Sequence, residues 1–201
     1  MTTSIGIYIY DDAEVLDFAG PYEVFTTASR VFRRTSPGEP EPFRVFTVAR
    51  TTGPVRARAG LVVVPDFGFA DHPPIDLLLV AGGVVTRQLA ADEVNAWIAR
   101  TAAQATLVAS VCTGAFLLAR TGLLDNLTAT THWEDVSEMQ TLFPLVNVVD
   151  GRRWVDEGQV VTSAGISAGI DMSLHLVERL AGRELALRTA RQMDFDWRQD
   201  A

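Results

Sequence analysis

Apolar, β-branched runs alternate along this chain with stretches whose apolar residues recur at helical spacing. Ile5–Tyr10, Phe43–Ala49, Gly60–Pro65, Asp76–Ala81 and Leu107–Val111 read as strands, several apolar on both faces as a buried parallel sheet requires. Between them, Val24, Phe25, Ala28, Val31 and Phe32 predict a helix opened by Pro21, whose missing N–H costs nothing in a first turn. Val94, Trp97, Ile98 and Ala102 form the inward stripe of a helix over Ala91–Gln104, and Thr113–Ala119 predicts another, closed by Gly122.

Further on, Thr128–Trp133 leads into a helix with Val136, Met139, Leu142 and Phe143 as its apolar positions. Val146–Val149 and Arg152–Val155 flank Asp150-Gly151 and predict a hairpin, followed by a strand over Gln159–Thr162. Ser163–Asp171 opens a helix with Ile170, Leu174, Val177 and Ala181 inward, ended by Gly182, and a last helix runs over Glu184–Phe195. The alternation describes an α/β fold: a doubly wound, mostly parallel sheet with helices on both faces. No repeat, linker or low-complexity tract interrupts it, so residues 1–201 are read as a single domain.

Composition narrows the function classes. With 48% apolar and 21% charged residues the chain suits a soluble domain with a sizeable core. A net charge of −8 and a pI near 4.8 argue against nucleic-acid or anionic-membrane binding. No signal peptide or membrane-spanning run is read, so the expected location is the cytoplasm. One cysteine excludes an internal disulfide, and no Cys/His cluster offers a metal site.

That cysteine, Cys112, falls where a strand gives way to a helix, with Gly114 just behind it. Over a helix start, unpaired N–H groups and the dipole favour an anion, which would lower the thiol pKa and enrich the nucleophilic thiolate. The arrangement parallels the nucleophile elbow of serine hydrolases. Asp17 is expected in the loop after the first strand, and Gly82-Gly83 after the Asp76–Ala81 strand. All three lie at the carboxyl edge of the sheet, where ligand sites form. Gly83 or Gly82 and the N–H of Thr113 could supply a two-donor oxyanion pocket beside the sulfur. His132 reads first as a structural histidine beside Trp133, His72 as a loop residue, and His175 as packed or solvent-facing.

Leu16–Pro21, Ala81–Gly83, Ser110–Gly114, Ala129–Trp133 and Gly165–Asp171, in that order, resemble the ThiJ/PfpI superfamily of class I glutamine-amidotransferase-like (flavodoxin-like) folds. Aspartate at position 17 with Cys-Thr-Gly at the elbow is similar to the isonitrile hydratase branch, and also to the amino-terminal domains of AraC-type regulators. The chain stops at Ala201 without a helix-turn-helix or basic patch, which turns the expectation away from a regulator. The resemblance implies a cofactor-independent enzyme with Cys112 as nucleophile and Asp17 as its acid partner. Gly82, Gly83, Thr113 and Ile166 would then shape the pocket, with His132 as a possible assistant. It implies a small-molecule substrate and a homodimer. An oxidation or ligand sensor, and an amidase- or glyoxalase-like activity, are the competing expectations.

Overall fold

A computed structural model describes residues 2–199. In chain order its elements are β1 (Thr3–Tyr8), α1 (Val15–Thr35), β2 (Phe43–Val48), β3 (Val55–Arg56), β4 (Val62–Val63), β5 (Leu77–Val80), α2 (Thr86–Leu89), α3 (Asp92–Ala102), β6 (Leu107–Val111) and α4 (Gly114–Arg120). There follow β7 (Thr128–Ala129), α5 (Val136–Leu142), β8 (Asn147–Val148), β9 (Trp154–Asp156), β10 (Val160–Ser163), α6 (Ala168–Ala181) and α7 (Arg183–Gln192). The main sheet has the order β2-β1-β5-β6-β10-β9, parallel throughout except for the antiparallel edge strand β9.

The chain moves outward from β1 to β2, then returns past β1 to β5 and continues to β6 and β10. Because parallel crossovers are right-handed, reversing the direction of travel puts the connecting helices on opposite faces. Accordingly α1, α6 and α7 pack on one another, and α2, α3 and α4 on one another. The reversal lies between β1 and β5, the topological switch point beside which open α/β sheets bind ligands. The central strands carry no exposed side chain: Leu77–Val80 and Leu107–Val111 are buried throughout, and Val24, Phe25, Leu174 and Val177 close over one face.

Register then fixes what meets at the carboxyl edge. Tyr8 pairs with Val80, and Val80 with Ser110. Two residues further along each strand, Tyr10, Gly82 and Cys112 stand level. The segment after β1 is stitched to the one after β5 by Glu14 N–H to the Gly82 carbonyl (2.9 Å), Val84 N–H to Asp12 (3.1 Å) and an antiparallel bridge between Ala13 and Gly83.

Several expectations change. α1 begins at Val15, so Asp17 lies in its first turn rather than in a loop, and Pro21 sits inside the helix. Having no N–H, Pro21 leaves the carbonyl of Asp17 without its helical partner. Of the 60–65 run only Val62–Val63 is a strand, paired with Val55–Arg56 in a separate ribbon outside the main sheet. The hairpin expected around Asp150-Gly151 does not form: Asn147–Val148 pairs in parallel with Thr128–Ala129, and the antiparallel pair is β9–β10, turning at Glu157-Gly158. Thr128–Ala129 is therefore strand rather than helix entry, while Leu142 and Ala181, expected inward, are exposed. The helix after the cysteine starts at Gly114, one residue later than expected. Among the described residues no helix is long and apolar enough to cross a membrane.

Candidate functional site

Cys112 follows β6 directly and takes φ +56, a left-handed conformation that non-glycine residues avoid. Its surroundings hold it there. Its N–H is shared between the carbonyls of Ser163 (3.1 Å) and Ala164 (3.2 Å), and its carbonyl accepts from the Thr131 hydroxyl at 2.9 Å. The turn into α4 also needs Gly114, since a side chain there would overlap the Val80 carbonyl. The result is a sharp elbow with its sulfur at the end of the central strands.

Gly82 is the gauge of how closely the parts approach. A Cβ at this position would lie 2.7 Å from Asp17 Oδ2, 2.7 Å from the Thr113 nitrogen and 2.8 Å from Cys112 Cβ. The acid, the elbow amide and the cysteine thus surround one bare α-carbon. Asp17 is fully buried, and the protein gives neither carboxyl oxygen a hydrogen bond of full geometry. The Cys112 thiol and the amides of Gly82 and Ile166 face it and favour its ionised form. Burial outweighs them, reinforced by the nearby charge of Glu14, and holds the Asp17 pKa up at about 7.

The thiol departs from its expectation. Burial, together with the charge of Asp17, pushes Cys112 up to about 12, although the amide of Thr113 pulls the other way. A helix start with one amide turned to the sulfur does not offset desolvation of a thiol that is only 6% exposed. In the resting pair the proton therefore belongs to sulfur, and the carboxyl titrates near neutrality beside it. Such a pair can pass a proton between sulfur, carboxyl and a third atom.

The proposed oxyanion donors divide. The Thr113 amide faces the sulfur. The Gly83 amide does not, because it donates to the Thr113 hydroxyl (2.8 Å), which in turn donates to the Gly83 carbonyl (2.8 Å). Gly83 is a structural clasp holding the elbow to the β5 turn, and its φ of +136 with a backbone packed against Ala13 and Glu14 explains why it is glycine. Gly82 and Ile166 instead turn their amides toward Asp17.

His132 packs on Gly165, where any Cβ would overlap its ring, and its Nδ1 accepts from the Glu134 amide at 3.4 Å. It caps the start of the next helical turn. His72 accepts from Trp97 Nε1 at 3.0 Å, and His175 pairs with Asp156 at 2.7 Å. Sequence reasoning missed Tyr10, whose hydroxyl donates to the Ala81 carbonyl (3.1 Å) and which feels both Asp17 and Cys112, and Thr131, which pins the cysteine. Counting two residues past each paired strand position would have found Tyr10. Leu16, Val84, Trp133 and Ile166, next to or within these segments, expose apolar side chains. Among the described residues no group of His, Cys, Asp and Glu could hold a metal ion.

Comparison with known proteins places the chain in a family. The chain is 33% identical over 197 residues to the isonitrile hydratase of Pseudomonas putida, covering 97% of this chain and 79% of that protein. It is also 33% identical over 183 residues to the HTH-type transcriptional regulator GbdR of Pseudomonas aeruginosa, covering 91% of this chain but only 48%, about half, of the regulator. Among solved structures, a ThiJ/PfpI family protein from Pseudomonas syringae superposes with a TM-score of 0.85 at 26% identity, over 98% of this chain and 76% of that one. Drosophila melanogaster DJ-1beta gives 0.81 at 19% identity, over 98% and 100%. The family model for DJ-1/PfpI matches residues 3–179, from the first strand to the last turns of α6, and with the hydratase relative this makes the chain a member of the DJ-1/PfpI family.

Proposed function

We propose that the protein hydrates an isonitrile to an N-substituted formamide, with Cys112 as nucleophile and Asp17 as proton carrier. The observation that carries this reading is the buried Asp17 carboxyl brought beside Cys112 around Gly82, without a hydrogen bond of full geometry and with its pKa held by burial at about 7. The hydratase relative supports the substrate class. The exposed apolar side chains of Leu16, Val84, Trp133 and Ile166 suit an apolar substituent.

The isonitrile R–N≡C binds with its terminal carbon at the sulfur. Asp17 takes the thiol proton as sulfur attacks that carbon, then delivers it to the same carbon, giving the thioimidate R–N=CH–S–Cys112. Asp17, again a carboxylate, removes a proton from water as the water oxygen adds to the thioimidate carbon, and passes that proton to the nitrogen, leaving R–NH–CH(OH)–S–Cys112, whose hydroxyl proton goes to sulfur in the next step. Collapse breaks the C–S bond, returns the thiol and releases R–NH–CHO, so one water is consumed. The Thr113 amide, facing the sulfur, stabilises charge that develops there.

Formamide release from a simple alkyl or aryl isonitrile, followed by chromatography, tests the reading directly. Cys112→Ala and Cys112→Ser should lose activity by about three orders of magnitude or more, and Asp17→Asn by about two or more. A Cys112→Ser variant that retains substantial turnover removes the proposal. Against the sensor alternative stands the burial of the thiol, which limits the access of an oxidant in solution. Peroxide treatment followed by intact mass should leave Cys112 unmodified under conditions that oxidise a free thiol.

A further inference from the structure

We propose that Arg153 and Asp171, remote in sequence from both Asp17 and Cys112, are positioning residues for the site: they clamp the 164–167 turn, whose Ala164 carbonyl accepts the Cys112 N–H at 3.2 Å. The inference rests on the reading of Asp17 as proton carrier.

Ile166 has φ +49, and a β-branched residue does not stay in the left-handed region unless its neighbours force it there. Its own side chain is partly exposed and supplies little of that force. The turn is instead gripped at both ends. On one side, the Ala164 N–H donates to the Arg153 carbonyl at 2.9 Å. On the other, the Arg153 guanidinium bonds Asp171 through Nε at 2.6 Å and through a second nitrogen, and reaches the Ser167 hydroxyl at 3.4 Å. One arginine thus spans the turn from its first residue to the opening of α6.

Asp171 is fully buried and anchored on its far side as well. Its other carboxyl oxygen accepts the Arg198 N–H at 2.9 Å, and its carbonyl accepts Trp197 Nε1 at 3.2 Å. A buried carboxylate that satisfies a fork of guanidinium donors and a backbone amide is rigid, because releasing any partner strands a charge. The clamp therefore also joins the segment after α7 to the turn beside Asp17. Gly165, within the same turn, leaves room for His132, so the turn is packed from the opposite direction too.

The test reads the Asp17–Cys112 pair without any isonitrile: the carboxyl carbon shift of Asp17 in aspartate-labelled protein, followed by NMR as a function of pH. Glu14, Tyr10 and Asp135 also face this pair and remain in every variant. The wild type should show a step near the Asp17 pKa, which Asp17→Asn removes. Arg153→Met and Asp171→Asn should move the step to higher pH by about half a unit or more, since Asp17 loses the Ile166 amide, which favours its ionised form. Arg153→Lys, which keeps the charge but not the two-pronged grip, should recover little of the shift. Ser167→Ala, at an exposed position, should give a smaller shift in the same direction and keeps the test open if the buried variants fail to fold. Folded variants whose step stays at the wild-type pH overturn the clamp. If the step moves but no variant, wild type included, forms formamide, the clamp stands and the hydratase reading falls.

Discussion

Asp17 exchanges stability for a titratable proton. Its pKa is raised from an ordinary 3.8 to about 7, so between those values the folded state binds more protons than the unfolded one. Stability from this group is present below the unfolded pKa and is lost as pH rises toward 7, with a ceiling of about 4 kcal/mol at 1.36 kcal/mol per unit. Asp17→Asn should therefore raise the melting temperature, more at pH 8 than at pH 5, while removing activity. A substitution equally stabilising at both pH values would mean that Asp17 is ionised without penalty. The cysteine contributes strain of a different kind, a left-handed backbone worth about 1–3 kcal/mol, offset by the Ser163, Ala164 and Thr131 contacts. At this scale residue type and order showed which side chains would meet. They did not show the thiol's ionisation, because the amide of Thr113 could be anticipated while the depth of burial could not.

At the scale of elements, the β6–α4 elbow depends on one close approach. Gly114→Ala places a methyl group into the Val80 carbonyl, a backbone atom that cannot move without breaking the β5–β6 ladder. A loss of about 3 kcal/mol or more is expected, read as a lower urea midpoint or as failure to accumulate soluble protein. Gly158→Ala, in open space, should cost far less despite its φ of +84. The periodicity of the long elements was legible: the stripe Val94, Trp97, Ile98 and Ala102 is buried as expected. Legibility failed where pairing partners are distant in sequence. Val146–Val149 looks like half of a local hairpin, yet its partner is Thr128–Ala129, and Asp150-Gly151 merely carries the chain away. Proline misled at position 21, because its first-turn preference is a tendency that the packing of α1 overrides.

For the whole molecule, the order of strands does what no single motif does: it brings residues from three separate crossovers to one edge. That convergence was readable from alternation alone, since parallel strands joined by helices put their carboxyl ends together. The clasp between Gly83 and Thr113 was not, because side chain–backbone bonds between separate loops leave no periodic trace. A second surface lies along α1 and the β3–β4 ribbon, where Tyr22, Leu61, Val62 and Val64 expose apolar side chains. Beside them a groove of about 350 Å³ is lined by Phe18, Ala19, Val63 and Val64 among others. We expect this face to join two copies. Light scattering should give about twice the 21.9 kDa chain mass for the wild type and the single mass for Val64→Glu. A wild-type protein monomeric at micromolar concentration would refute the dimer.

Gly82 sets a limit on how such a protein can diversify. With the acid, an amide and the cysteine Cβ all meeting where a side chain would start, this position admits no substitution that keeps them together. Under the proposed reaction, libraries confined to the exposed apolar positions Leu16, Val84, Trp133 and Ile166 should alter substrate preference while Cys112 and Asp17 keep the chemistry.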